Sequence, residues 1–450
     1  MKNKHFYFIG IGGIGMSALV RILLQKGCKV SGSDVALGSL TQDLKNKGAE
    51  IFEGHSADRL NCSMTVIYNT NISEQNPEYL RARELKLPLL HRSDLLKDLM
   101  EGYYSLLVAG CHGKTTTSSL FAHVLIEVGL DPSYAIGGIV RSLNANGGHG
   151  EGPYFVAEAD ESDGSFLKYP AFGAILTNID NDHLNYWKTQ EALILGFKEF
   201  SSRIFSENHL FWCKDDEYLN RFGLKGVSYG FDEKADLFVK NFRQIGWRMV
   251  FDFHFESQDF LDVDIPLIGA YNVLNAAAVF GLCLRLNLSE CLIRRALRSF
   301  QGVGRRVEKK GEINDIEVFD DYAHHPTEIF ATLRAMKAAV GDKRLVVVFQ
   351  PHRYSRVRDC FAQFPDAFDL ADELILTDIY PGGEKPIEGV TTHALCEAIR
   401  SKSERRIHHV SREEVVSYLI SFLRPRDVLL TMGAGDITKI GPDVLEHLSL

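Results

Sequence analysis

Residues Ser105–Thr117, SLLVAGCHGKTTT, hold the densest group of side chains able to do chemistry. An apolar strand runs into a short glycine loop, and a lysine with three threonines opens the helix that follows. Backbone N–H groups of such a loop, and of a helix N-terminus, converge on phosphate oxygens, and the helix dipole adds to the attraction. Gly110, Cys111, His112 and Gly113 are expected to cradle phosphate. Lys114 would supply a mobile positive charge and Thr115 a hydroxyl for phosphate-bound Mg2+, with Thr116 beside them. Threonines are poor helix formers, so phosphate and metal contact is the simplest reason for three in a row. The loop is compact, Gly110-x-x-Gly113-Lys114-Thr115, because Val108 stands where the longer GxxxxGK[ST] loop has its first glycine.

Two later strands end in polar clusters, YFVAEADESD (Tyr154–Asp163) and FGAILTNIDNDHLNYW (Phe172–Trp187). Glu158 and His183 fall near their C-terminal ends, the edge where open α/β sheets bind ligands. A carboxylate and an imidazole there can complete Mg2+ coordination. Imidazole is an unusual partner for this hard ion, which leaves Glu161 and Asp163 as alternative ligands. His183 could instead cap the next helix or bond Asp182.

A second glycine loop, Gly10-x-Gly12-Gly13-x-Gly15, follows the N-terminal strand His5–Ile9, and Asp34 stands about 20 residues on, as in dinucleotide folds. NAD, a uridine or other nucleotide, and simple tight packing all fit this pattern. In DDYAHHPTE (Asp320–Glu328) the neighbouring histidines of an extended segment point to opposite faces, which disfavours a shared zinc ion. A loop offering an acid, a phenol and an imidazole to a polar substrate fits better. FQPHRYSR (Phe349–Arg356) places Arg353 and Arg356 three apart, on one face if a helix starts there. Two guanidiniums at a strand end suit a carboxylate, and ordinary surface pairing is the plainer alternative.

The elements that must position these groups alternate strand and helix, which predicts α/β architecture with mainly parallel sheets. Three domains are expected: Rossmann-like over residues 1–103, a central P-loop ATPase over 104–306, and Rossmann-like again over 307–450. A first helix is read over Met16–Lys26, an antiparallel excursion from about Asn208 to Asp264, and helices from Asn272 to about Phe300. In the third segment EVFDD, RLVVVFQ, ELILTDI, RRIHHV and DVLLTMG read as strands. The 450 residues carry 45% hydrophobic and 24% charged side chains, as in an average globular protein. A net charge of -9 without basic runs argues against nucleic acid or an anionic membrane as partner. No apolar run reaches the roughly 18 residues of a membrane span, and eight cysteines without a CxxC pair fit free thiols. A cytoplasmic protein, monomeric or weakly dimeric, is expected.

GIGGIGMSAL, GSD, GCHGKTTT, EADESDGSF, TNIDNDH, GAYNVLNAAA, FQGVGRR, DDYAHHPTE, FQPHRYSR and GAGDI span residues 10 to 437. In that order they resemble the motifs of the Mur ligases of bacterial cell-wall synthesis, and within them the alanine-adding type. The resemblance implies that ATP phosphorylates the lactyl carboxylate of UDP-N-acetylmuramate and that the amine of L-alanine attacks the acyl phosphate. It places Lys114 and Thr115 on phosphate and Mg2+, and Glu158 and His183 on the metal. Asn272 and Asn275 would contact the nucleotide, Arg306 its phosphates and Asp321 its ribose. Tyr322, His324, Arg353 and Arg356 would form the alanine and carboxylate pocket, while Gly12, Gly13, Ser33 and Asp34 would face the UDP-sugar.

Four positions depart from the family pattern. Cys111 replaces Thr, close enough to phosphate for thiol reagents to inhibit. Tyr271 replaces His, Ala323 replaces Gly and Asn185 replaces Asp. A murein peptide ligase of the same fold would show EADEYD and NNLEFDH where this chain has EADESD and TNIDNDH. A UDP-sugar-binding regulator with a decayed ATPase would not need Lys114, Glu158, His183, Arg353 and Arg356. An NAD-dependent oxidoreductase would not need the second loop and its acidic strands.

Overall fold

The computed structural model describes residues 4–402 and 406–449. Three sheets follow one another along the chain. The first holds β1 (His5–Ile9), β2 (Lys29–Asp34), β3 (Glu50–Glu53), β4 (Met64–Tyr68) and β5 (Leu89–His91), all parallel in the order β3-β2-β1-β4-β5. The switch in strand order lies beside β1, whose end enters the first glycine loop.

The second sheet holds ten strands: β6 (Tyr104–Ala109), β7 (Ser133–Val140), β8 (Ala145–Gly148), β9 (Tyr154–Ala159), β10 (Gly173–Leu176), β11 (Leu210–Cys213), β12 (Val227–Gly230), β13 (Leu237–Ile245), β14 (Arg248–Phe255) and β15 (Gln258–Ile265). Their order is β15-β14-β13-β12-β11-β10-β6-β9-β7-β8. The parallel strands β10, β6 and β9 sit side by side, so the lysine loop after β6 is flanked by the ends of both acid-bearing strands. The antiparallel reading from Asn208 fails at its start, because β10, β11, β12 and β13 pair in parallel. The segment LFWC of β11 is a continuous apolar run buried on both faces, the mark of an interior parallel strand.

The third sheet holds β16 (Glu308–Ile313), β17 (Ile316–Asp321), β18 (Leu345–Phe349), β19 (Glu373–Leu376), β20 (Ile407–His409) and β21 (Val428–Met432), ordered β16-β17-β21-β18-β19-β20. Only β16 is antiparallel to its neighbour, and the sequence reading missed it. It is mostly charged with little apolar content, EKKGEI, as an edge strand can be.

By contact density the chain forms two compact units. One comprises residues up to Asn241 with Phe251–Ile265 and Leu274–Gln301, and the other Phe242–Val250, Pro266–Val273 and residues from Gly302 onward. The first helix runs Ile14–Gln25, two residues earlier at its start than read, and the expected helical stretch after Asn272 is two helices, Ala270–Arg285 and Glu290–Ser299. Cys62 and Cys291 are exposed, the other cysteines are buried, and none forms a disulfide among the described residues. Among the described residues no helix is long and apolar enough to cross a membrane.

Candidate active site

The first glycine loop is tied to the end of β2. Gly10 N and Ile11 N donate to Ser33 O at 2.8 and 2.9 Å, and Gly12 N donates to Asp34 Oδ2 at 2.8 Å. A Cβ on Gly12 would stand 2.9 Å from both Asp34 Oδ2 and Thr41 Cγ2. Gly13 is the N-cap of the first helix. The Ser33 hydroxyl does not face outward as expected for a sugar contact. It is fully buried, donates to Glu78 and lies 2.8 Å from His55 Nδ1. Glu78, itself without exposure, also accepts from the Tyr7 hydroxyl at 2.6 Å and from Ser56 N at 3.1 Å, with Arg59 at 3.6 Å. Burial, reinforced by that carboxylate, pushes the Tyr7 phenol up. Sequence reasoning missed Glu78, since nothing local marks an acid in NPEYL as a buried hub.

The second loop is held from behind by β10 and its extension. Gly110 has φ +140°, and a Cβ there would stand 2.0 Å from Thr177 Oγ1. The Thr177 hydroxyl donates to His112 O at 2.6 Å, Asn178 Oδ1 accepts from His112 N at 2.8 Å, and Cys111 N donates to Asn178 O at 3.0 Å. Asp180 Oδ2 lies 2.8 Å from His112 Nε2. Gly113 is left-handed at φ +81°, with Asn275 Oδ1 3.2 Å from where its Cβ would be, which puts Asn275 against the loop. Thr177 and Asn178 hold this loop, and the sequence reading did not single them out within TNIDNDH.

Lys114 opens the helix Lys114–Glu127. Its Nζ donates to Gly110 O at 2.6 Å, to Cys111 O at 3.2 Å and to both Glu161 oxygens at 2.9 and 2.8 Å. Burial opposes charge on this ammonium, yet the Glu161 carboxylate outweighs it and raises the lysine above its ordinary range. Glu161 is fully buried and its backbone O accepts from Trp187 Nε1 at 2.9 Å.

The expected metal ligands divide. Glu158 accepts from Thr115 Oγ1 at 3.3 Å, Ser118 Oγ at 3.2 Å and Gly137 N at 2.6 Å. His183 Nε2 lies instead 3.4 Å from Glu161 Oε1 and 3.6 Å from Asp182 Oδ2. His183 occupies the N-cap of the short helix Leu184–Trp187 with φ +59° but makes no side-chain cap, so capping does not explain it. Asp163 accepts from Thr70 Oγ1 at 2.8 Å and Ser165 N at 3.0 Å, with Arg92 at 3.4 Å, away from Lys114's partners. Arg92 also bonds Asp160 at 2.9 Å and stands 3.6 Å from where a Gly15 Cβ would be, so it links the first glycine loop to the segment after β9. Burial works against the Asp160 charge, but Arg92 and Lys114 hold its carboxyl well below the usual range.

The Cys111 thiol is buried and donates from Sγ to Asp180 O at 3.4 Å. Burial and then Glu161 raise it well above the ordinary thiol range, which argues against the reactivity expected of it. The Asn185 side chain lies outside the described residues.

In the C-terminal unit a second cluster gathers at the ends of β17 and β18. Tyr322 lies between two guanidiniums, Arg305 at 4.8 Å and Arg306 at 5.2 Å from its ring centre. Its ring meets His324 edge-on at 5.3 Å, His324 meets His352 at 5.8 Å, and His352 stacks on Tyr380 at 5.6 Å. The His324 Nδ1–H donates to Tyr322 O at 2.9 Å, which fixes its tautomer. Arg356 lies 3.4 Å from His352 Nδ1. Arg353 is at φ +67°, strained for a non-glycine residue, with its N donating to Tyr380 O at 2.8 Å. Burial, with His324, Arg356, Arg353 and Arg305 adding, lowers His352 to about 3. Arg305 and His352 were missed, although both sit inside quoted motifs.

Asp321 accepts from Val307 N at 2.7 Å and Ala323 N at 2.8 Å, and burial raises it to about 6 against the pull of Arg306. Ala323 is not among the residues with positive φ, so alanine in place of glycine strains nothing. Tyr271 packs on the core of this unit, and Asn272 Nδ2 donates to Ile268 O at 2.8 Å.

Two strand–loop–helix units on parallel sheets, one armed with a lysine and facing acids, define a nucleotide-using α/β enzyme. The chain belongs to the Mur ligase family: residues 5–104 match "Mur ligase family, catalytic domain", 108–283 "Mur ligase middle domain" and 305–435 "Mur ligase, glutamate ligase domain". Mur ligases are ATP-dependent enzymes. Over 99% of its length the chain is 47% identical to the UDP-N-acetylmuramate–L-alanine ligase of Protochlamydia amoebophila, covering 98% of that protein. The UDP-N-acetylmuramate–alanine ligase of Thermotoga maritima superposes with a TM-score of 0.86 at 29% identity, over 99% of both chains. A murein peptide ligase from Psychrobacter arcticus shares the fold, with a TM-score of 0.74 at 23% identity over 99% of both chains.

Proposed function

We propose that this chain joins L-alanine to the lactyl carboxylate of UDP-N-acetylmuramate at the expense of ATP, giving UDP-N-acetylmuramoyl-L-alanine, ADP and phosphate. The full-length likeness to an alanine ligase carries the reading. It acts in the cytoplasm, where this precursor chemistry has its nucleotides.

Carboxylate oxygen is a poor leaving group, and phosphorylation converts it into one that an amine can displace. Gly110–Gly113 and the helix N-terminus bind the ATP phosphates through backbone N–H groups, and Lys114 follows the transferred phosphoryl group. Thr115 and Glu158, which bond each other, offer the hard oxygen donors that suit Mg2+, and the family likeness adds His183 as a softer ligand. When bound there, Mg2+ neutralises charge on the phosphates. Asn275 orients the nucleotide from the loop side; the family likeness assigns Asn272 a nucleotide contact, Arg306 its phosphates and Asp321 its ribose. Gly12, Gly13 and Asp34 hold the UDP-sugar, and Ser33 acts behind them. Tyr322, His324, Arg353 and Arg356 receive alanine and its carboxylate. Domain limits are assigned at 1–103, 104–306 and 307–450, a reading supported by matches over 5–104, 108–283 and 305–435.

The test is phosphate release from ATP, Mg2+ and UDP-N-acetylmuramate with L-alanine, L-serine, glycine or L-Ala-γ-D-Glu-meso-diaminopimelate as acceptor. Release with L-alanine is expected. Release with the tripeptide alone would overturn the assignment.

A further inference from the structure

The Lys114 ammonium has three protons, and in the arrangement described all are engaged: by Gly110 O, by Cys111 O and by the two oxygens of Glu161. A phosphate oxygen can therefore reach this lysine as a hydrogen-bond partner only if one present acceptor gives way. The carbonyls belong to the loop that carries the lysine, and Thr177 and Asn178 pin that loop, so they cannot move far. Glu161 is different. Its side chain hangs from the segment after β9, 47 positions along the chain, and its carboxylate already has a second cationic-capable neighbour in His183 Nε2 at 3.4 Å.

We propose that Glu161 is a positioning residue, a built-in counter-anion that docks Lys114 across the mouth of the loop and yields it to the phosphate of the nucleotide. This rests on the reading of the Gly110–Lys114 loop as the ATP site. The exchange is one anion for another at the same ammonium, so the buried lysine is never left without a countercharge. The released carboxylate stays beside His183. Because Glu161 competes for the lysine and repels the incoming phosphate, it weakens nucleotide binding while it improves the lysine's placement for transfer.

This behaviour differs from that of a simple metal ligand, and the difference is measurable without metal. ATP binding to the full-length protein in EDTA is followed by calorimetry for wild type, Glu161→Gln and Glu161→Asp, with UDP-N-acetylmuramate binding as the fold control. Glu161→Gln should bind metal-free ATP about fivefold to tenfold tighter than wild type while kcat falls. Glu161→Asp, which keeps the charge, should restore the weaker binding. Unchanged metal-free affinity with a weakened Mg2+ dependence would make Glu161 a metal ligand and overturn the proposal. Joint loss of ATP and UDP-N-acetylmuramate binding in both variants would make it a fold requirement and overturn it too. A wild-type protein that binds no ATP would take down the reading of the loop itself.

Discussion

The Gly10–Gly15 loop and the Gly110–Gly113 loop both leave a buried parallel strand, and both enter a helix, of 12 and 14 residues respectively. Behind the first stands an acid, Asp34, which accepts from Gly12 N, and the helix after it opens with apolar Ile14 and Met16. Behind the second stand neutral Thr177 and Asn178, and its helix opens with Lys114 and three threonines. The glycines make two similar backbone frames. The charge differs in sign and in source: a carboxylate delivered by β2 at the first loop, and an ammonium carried by the loop's own helix at the second. A carboxylate at a loop suits hydroxyl donors such as those of ribose, whereas an ammonium over a helix N-terminus suits phosphate.

The sharpest way to break this contrast is Lys114→Ala. Turnover should fall by about 10³-fold or more, while calorimetry should still show UDP-N-acetylmuramate binding. Loss of sugar binding as well would mean that the two loops do not divide the ligands.

Next come matched glycine changes. Gly110→Ala places a Cβ 2.0 Å from Thr177 Oγ1 at φ +140°, so the loop must deform and ATP affinity should fall by about 100-fold. In Gly12→Ala the nearest atoms, at 2.9 Å, are side-chain atoms of Asp34 and Thr41 that can shift, and KM for UDP-N-acetylmuramate should rise by about tenfold. If each variant impaired the other ligand instead, the assignment of loops would be reversed.

A pH titration sets both loops against the C-terminal cluster. With His352 at about 3 in the folded chain and 6.5 as its ordinary value, the unfolded chain takes up the proton first as pH falls. Its contribution to stability is complete above pH 6.5 and is lost toward pH 3, by up to about 1.4 kcal/mol per pH unit. Urea unfolding at pH 7, 6 and 5 should show this slope, and His352→Gln should flatten it. An unchanged slope in the variant would remove His352 from the account.

The smallest expected effect is none. Buried Cys111 should resist thiol reagents under native conditions, and kcat should survive labelling of Cys62 and Cys291, the exposed cysteines. ATP-protected inactivation would show that the loop opens further than described.

Much of this was legible in the sequence, for a physical reason. A strand, a glycine loop and a helix N-terminus are contiguous, so GIGGIG and GCHGKTTT carry their geometry within a dozen residues. Of the five strands read in the C-terminal segment, three are compact apolar runs, LVVVF, ELIL and VLLTM, and these set the alternation that located EVFDD and RRIHHV. What stayed hidden depends on pairing between distant segments. That Glu161 and not Glu158 meets Lys114 follows from which way each side chain leaves the end of β9. That Ser33 turns inward follows from Glu78, 45 positions away. Arg305 was passed over because its neighbour Arg306 carries the family likeness, although both guanidiniums flank Tyr322.

The clasp of Thr177 and Asn178 on the second loop has a consequence for the heat of binding. Ordering a backbone residue costs about 1–2 kcal/mol of conformational entropy. At Cys111 and His112 that cost falls on folding, because the clasp bonds are made within the chain itself. Nucleotide association then carries little entropic penalty from this loop, and its rate is not limited by loop closure. Local melting should be absent as well, so the protein should lose its nucleotide site on heating at the temperature where the central sheet itself comes apart.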